Sequence, residues 1–198
     1  MSVGRISHEA HELYAAAQEF DDLRDGIIVP DTPGDLPDLV TGSKQLAELS
    51  GLFKDLSDEV LFRAVAEDPG MDLGPVVYAY TSASVPAGRA TEHFTEAYAQ
   101  LGFLHQFAEA RDTPDLRDAR EAAFGVVQER LEIVRQELGE ASSTLRGSAD
   151  RLDSSPPYVA AALSRSARSA NAVYRLPPKA LATGPMQLAY NPSSRHAR

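Results

Sequence analysis

The chain of 198 residues contains no cysteine and no tryptophan. The absence of cysteine excludes disulfides, thiolate metal sites, cysteine-ligated iron–sulfur clusters and cysteine nucleophiles. A chain without thiols suits a reducing compartment, and we therefore expect a cytoplasmic protein. Because aromatic residues make up only 7% of the chain, its core must be built mainly from leucine, valine and alanine.

Long apolar runs are also absent. No stretch reaches the roughly 18 consecutive apolar residues that a membrane span requires, so we expect no membrane span. The first fourteen residues include His8, Glu9 and Glu12 and lack an apolar segment, which argues against a secretory signal peptide. The hydrophobic share of 43% is nevertheless close to the globular average and is sufficient for a packed core.

The sequence has no recognisable motif for catalysis or for cofactor binding. It contains no G-x-S-x-G, no S-x-x-K and no glycine-rich phosphate loop. His8, His11 and Glu12 share one side of a predicted helix, but their run reads HEAHE rather than the zinc-binding HExxH. A carboxylate-bridged di-iron site needs Glu-x-x-His, which does not occur. We therefore expect no cofactor and no metal, and we favour a non-enzymatic protein while an enzyme stays open as an alternative.

Negative charge is missing from the last part of the chain. Residues 1–153 hold all 29 acidic residues and 13 basic ones, a net charge of −16, and residues 154–198 hold six basic residues and no acid. This contrast predicts two parts: an acidic helical bundle over 1–153, followed by a basic helix and an irregular tail over 154–198.

Apolar residues recur at spacings of three and four along most of the chain. This period predicts helices over residues 7–24, 43–67 (with a kink allowed at Ser57), 88–111, 114–152 and about 156–174. Residues 26–42 read as a long loop that packs on the body. Residues 72–82 have strand propensity, but a lone strand has no partner, and we favour a short helix. The predicted fold is all-α: an elongated bundle of four to six helices with a long central helical hairpin and a basic, partly irregular C-terminal tail.

The strongest helical pattern follows Thr113-Pro114-Asp115, a cap and proline that are typical of a helix start. A coiled-coil-like seam then runs from Phe124 to Leu145, breaks at Ser148 and resumes at Leu152. The helix over 114–152 is about 15 residues longer than the one over 88–111, which leaves about 20 Å of seam without that partner. We expect the second helix or another chain to cover this part, with Leu138, Leu145 and Leu152 as candidate partner-binding residues.

The basic segment suggests three hypotheses. In the first, this segment docks on the acidic body or on a neighbouring copy through four basic residues, Arg165, Arg168, Arg175 and Lys179. In the second it is an ordinary tail, and in the third the same residues bind nucleic acid or an anionic membrane. We favour docking, because the acidic body repels polyanions and six charges over 45 residues are sparse.

Three functions remain open. The favoured one is a non-enzymatic interaction or assembly protein, an adaptor or structural subunit with a protein partner or a second copy, acting through the seam and the basic tail. The alternative is an enzyme or small-molecule binder with a pocket inside the bundle, lined by Tyr78, Tyr80, Phe94, Tyr98 and His105. The third is a nucleic-acid-associated regulator that uses residues 156–179.

Overall fold

The computed structural model describes residues 3–65 and 72–154, which form four α-helices and one short 3-10 turn. The helices are α1 (Val3–Gly26), α2 (Leu39–Val65), α3 (Gly74–Gln106) and α4 (Pro114–Asp153), and the turn is Pro33–Asp35. No β-strand occurs in these residues. The all-α prediction is confirmed for them, and the helix predicted over 156–174 and the tail lie outside them.

The four helices lie side by side, each antiparallel to its neighbours. Helix α4 packs most extensively on α3 and on α1, and α2 packs mainly on α3. Inter-helix side-chain contacts show the directions: Arg89–Glu137 and Arg130–Glu96 join α3 to α4, and Tyr14–Asp150 and Arg146–Asp21 join α1 to α4. A single apolar core therefore forms around α3 and α4.

Helix α4 begins where the sequence predicts. The Thr113 side chain accepts a hydrogen bond from the Leu116 backbone N–H at 3.2 Å, and Pro114 occupies the first turn, where its missing N–H costs nothing. The seam side chains from Val127 to Leu145 that face the core are at most 2% exposed. Ser148, the break in the pattern, is also buried, and its hydroxyl donates to the Thr144 carbonyl at 2.9 Å.

The predicted division of residues 72–111 into a short segment and a separate helix is wrong. Helix α3 runs without interruption through Pro86 and Gly88. Proline removes one intrahelical hydrogen bond and so disfavours a helix that continues through it. Burial outweighs this cost, because Ala83, Ala87 and Ala90 are fully buried and their small side chains let the helix pack closely.

The loop between α1 and α2 is shorter than predicted and covers residues 27–38. The Asp38 carboxylate accepts a hydrogen bond from the Thr41 backbone N–H at 2.7 Å and so caps the first turn of α2. The loop packs on the body as expected: Ile27 and Pro30 are buried, and the Gln128 side chain donates to the Pro30 carbonyl at 2.7 Å. Helix α2 is continuous through Ser57.

The prediction that part of the long seam lacks a partner within the chain is wrong for two reasons. Helix α3 has 33 residues and α4 has 40, so the difference is seven residues, or about 10 Å. Helix α1 also lies along the distal half of α4, where Leu13, Ala17 and Phe20 join the same buried cluster. The chain itself covers this part of the seam, and no second chain is needed there.

Candidate functional site

The predicted partner-binding leucines lie inside the chain. Leu138 and Leu145 are 0% exposed, and Leu152 is half-buried against the same core. Because the first two side chains have no accessible surface in this state, they are available to a partner only if the helices separate. Arg165, Arg168, Arg175 and Lys179 lie outside the described residues, so the basic tail stays a prediction.

The residues predicted to line an interior pocket do not share one. Tyr80 and Phe94 are buried, whereas Tyr78 is 67% exposed and His105 is exposed. Tyr98 is half-buried, and its hydroxyl lies 2.7 Å from that of Ser43. Tyr78 and His105 are separated by about 40 Å along α3, at a rise of 1.5 Å per residue. These five residues therefore do not form one site.

An acidic cleft opens between α1 and α2 instead. Side-chain hydrogen bonds join the two helices near both ends, from Gln45 to the Gly26 carbonyl at 2.8 Å and from Arg63 to Glu9 at 2.7 Å. Between these contacts lies a cleft of about 190 Å³. Its rims carry four carboxylates, Glu12, Glu19, Asp55 and Glu59, and its apolar surface is formed by Ala15, Ala16, Phe20, Leu52, Leu56 and Tyr80.

Burial raises the pKa values of two side chains that line this cleft, Glu19 and Tyr80. Partial burial and the nearby carboxylates of Asp55 and Asp22 raise the pKa of Glu19. At one end, the buried Arg63 guanidinium pairs with Glu9 and Glu59 and lies 4.9 Å above the Tyr80 ring. Burial raises the pKa of the Tyr80 hydroxyl, although Arg63 lowers it. The carboxylates that line the cleft can attract a cationic group from outside the chain. The guanidinium of Arg63 does not neutralise all of them, because it is paired with Glu9 and Glu59.

Metal ligands do not converge in the part of the chain that the structure describes. No group of three or more histidine, aspartate or glutamate side chains there is placed to hold an ion. His8 lies 3.6 Å from Glu12, and His93 lies 3.9 Å from Glu96, whose carboxylate is also paired with Arg130 at 2.6 Å. These histidines belong to pairs on helix surfaces rather than to a ligand set.

A second surface, which the sequence analysis missed, lies on α2 and α3. Large apolar side chains are 58–72% exposed there, and we define them as the α2–α3 face: Leu61, Val65, Tyr78 and Val85, with Phe62 at its edge towards α1, on the same side of α2 as Asp55 seven residues earlier. The stretch from Val60 to Val65 is apolar on all sides of the helix except at Arg63, which is buried. An all-round apolar helical turn predicts that more than one side will be covered, and this signal was present in the sequence.

Comparison of the chain with protein-family models, with curated proteins and with solved structures finds no match. Among residues 3–65 and 72–154, no helix is long and apolar enough to cross a membrane. The two surfaces above are therefore interpreted from their own geometry.

Proposed function

We propose that this chain is a non-enzymatic helical interaction or assembly protein of the cytoplasm, which binds a protein partner or a second copy through the α2–α3 face. The observation that supports it is the clustering of large exposed apolar side chains. Leu61, Phe62 and Val65 fall within little more than one helical turn and are 63%, 72% and 70% exposed. Single apolar residues are common on protein surfaces, whereas contiguous patches mark interaction sites.

The energetics favour covering this face. Burying a leucine, valine or phenylalanine side chain contributes about 1.5–3 kcal/mol relative to full exposure. Within the chain, α2 gains little from its last turn, where only Arg63 is buried. A partner that covers the other residues of this turn would recover apolar burial that the folded chain alone leaves unused. The elongated bundle with a long hairpin, a coiled-coil-like seam that packs within the chain, and the basic tail remain parts of this proposal.

The alternative function, a small-molecule binder, has one specific observation in its favour. The acidic cleft offers four carboxylates above an apolar surface, which would suit a small ligand with a cationic group. Its volume of about 190 Å³ is below the usual range of about 300–1,000 Å³ for ligand pockets. We rank this function second for that reason, and nucleic-acid binding through residues 156–179 third.

The experiment that tests the proposal places a photoreactive amino acid at position 62 of the full chain in cells of its source. Because the Phe62 side chain is exposed, we expect irradiation to give a discrete adduct of higher mass. Glu132, an exposed residue of α4, is the matched control position and should give none. Lysine at both positions 61 and 65 should abolish the adduct. Failure to form an adduct at position 62, or the same adduct from position 132, contradicts the proposal.

A further inference from the structure

We infer that the α2–α3 face is where a second copy of this chain docks, so that the protein assembles as a dimer through its own α2 and α3. This inference rests on the proposed function and goes further by naming the partner. It is carried by the distribution of charge around the face and by the pairing of the charges beside it.

The α3 side of the face carries no charge at all. Residues 74–88 include no aspartate, glutamate, lysine, arginine or histidine, and the next charged residue is Arg89. Tyr78 and Val85 project from this stretch with 67% and 58% exposure, and Thr81, between them, is also exposed. In a chain with a net charge of −10, fifteen consecutive uncharged helical residues stand out as a neutral surface.

The charged side chains of α2 that lie beside this stretch of α3 either point towards α1 or are paired with an opposite charge. Asp55 and Glu59 line the acidic cleft towards α1, and Arg63 is buried and paired. Lys54 and Asp58 form an ion pair with each other on the exposed side of α2. No unpaired charge of residues 53–65 therefore belongs to the α2–α3 face.

A neutral apolar face suits a second copy of an acidic protein. Two copies, each with a net charge of −10, repel each other over most of their surfaces. In a two-fold dimer each patch meets itself, so an unpaired charge near the axis would face its own like charge. The α2–α3 face avoids this penalty.

The size of the face indicates a weak dimer. Fifteen helical residues extend about 22 Å. With neighbouring helices 8–10 Å apart, the pair is roughly 20 Å wide, and its footprint is about 440 Å². Standard interfaces bury about 800 Å² per partner, so we expect dissociation in the micromolar range or weaker. The oligomeric state must therefore be measured as a function of concentration.

The test is sedimentation equilibrium of the full chain from about 1 µM to about 500 µM, a range that brackets weak association. We expect the weight-average mass to rise from 21.4 kDa towards twice that value. The Val85→Glu variant should remain at 21.4 kDa throughout. Val40→Glu is the matched control, since Val40 is 63% exposed but lies in the first turn of α2, far from the face. This control should dimerise as the unmodified chain does, and circular dichroism should show equal helix content in all three.

Two results would overturn the inference. One is a full chain that stays monomeric at every concentration, and the other is a dimer that Val85→Glu leaves intact or that Val40→Glu also abolishes. Neither result removes the proposed function, because that fails only when position 62 gives no specific adduct in cells. An adduct whose mass corresponds to a different protein, with a monomeric purified chain, would retain the function and reject the second copy as the partner.

Discussion

The Arg63 guanidinium donates a hydrogen bond from Nε to a carboxylate oxygen of Glu9 at 2.7 Å, and this contact ties α2 to α1. The Arg63 side chain is only 5% exposed, and Glu9 is 17% exposed. A second carboxylate, Glu59, pairs with the same guanidinium from one turn earlier on α2. A buried cation is therefore held between two anions at the end of the acidic cleft.

Removing one partner of this pair is predicted to destabilise the protein more than replacing the cation. Glu9→Ala leaves Arg63 buried with only Glu59, which is 44% exposed, and we expect a loss of about 2 kcal/mol in the free energy of unfolding. Arg63→Met keeps a long side chain and removes the buried charge, so its loss should be smaller. Urea denaturation of both variants measures the difference. A larger loss for Arg63→Met would show that the ion pair itself, rather than the unpaired charge, dominates.

Burial of the distal seam within one chain leads to a second prediction. Leu138 is 0% exposed, so Leu138→Ala should lower the free energy of unfolding by about 2–5 kcal/mol. Leu61→Ala makes the same chemical change at a 63% exposed position and should alter it by no more than about 0.5 kcal/mol. Thermal and urea denaturation in dilute solution measure both. Similar losses for the two variants would contradict the internal packing of the seam.

The same glycine-to-alanine substitution is predicted to have different effects on stability at two positions of α2. At Gly42, an added Cβ would lie 3.2 Å from Cδ2 of Tyr98, whose hydroxyl is held near Ser43. At Gly51, nothing lies within 4 Å of the added atom. Gly51→Ala should therefore stabilise the helix by about 0.5–1 kcal/mol. Gly42→Ala should gain less or destabilise, because Tyr98 has to move.

Denaturant midpoints of these two variants provide the comparison. Equal gains from Gly42→Ala and Gly51→Ala would mean that α2 and α3 are not in close contact at Tyr98.

The raised pKa of Glu19 predicts a pH-dependent effect on stability. The folded protein holds a proton on Glu19 more tightly than the unfolded chain does, so ionisation costs stability as pH rises above the ordinary value of 4.5. Glu19→Gln should therefore increase the free energy of unfolding at pH 7, and the gain should disappear as pH falls below that value. Because Glu19 is largely exposed, we expect a modest effect.

Glu132→Gln, which makes the same substitution at an exposed position of α4, is the control variant for Glu19→Gln. The measurement is urea denaturation of both variants and the unmodified chain at several pH values from acid to neutral. A loss of stability in Glu19→Gln at neutral pH would instead indicate that a cation pairs with Glu19 in solution.

Local chemistry made parts of this fold predictable. The start of α4 follows from Thr113 and Pro114, and the buried residues of α4 follow from the three–four spacing between Val127 and Leu145. These features depend on one helix and its own period, and they require no knowledge of its neighbours. At Pro86, α3 stays continuous, and the alanines around it are buried in the core, an arrangement that a sequence pattern does not contain.

The candidate surfaces depended still more on three dimensions. Glu12 and Glu19 meet Asp55 and Glu59 only because α1 and α2 lie antiparallel with a gap between them. The sequence indicated apolar residues at Leu61, Phe62 and Val65, but not which of them the rest of the chain would leave exposed. The predicted pocket failed for the same reason, since Tyr78 and His105 lie far apart along one helix.

The sequence by itself determined the secondary structure class, the position of α4 and the residues of its buried seam, because helical periodicity, capping and proline act within a few neighbouring residues. Only the tertiary structure decided which helix covers that seam, that α3 passes through Pro86, and that an acidic cleft and a neutral apolar face remain on the surface. These outcomes follow from the burial of apolar area between distant segments, a free energy that depends on the arrangement of all four helices together.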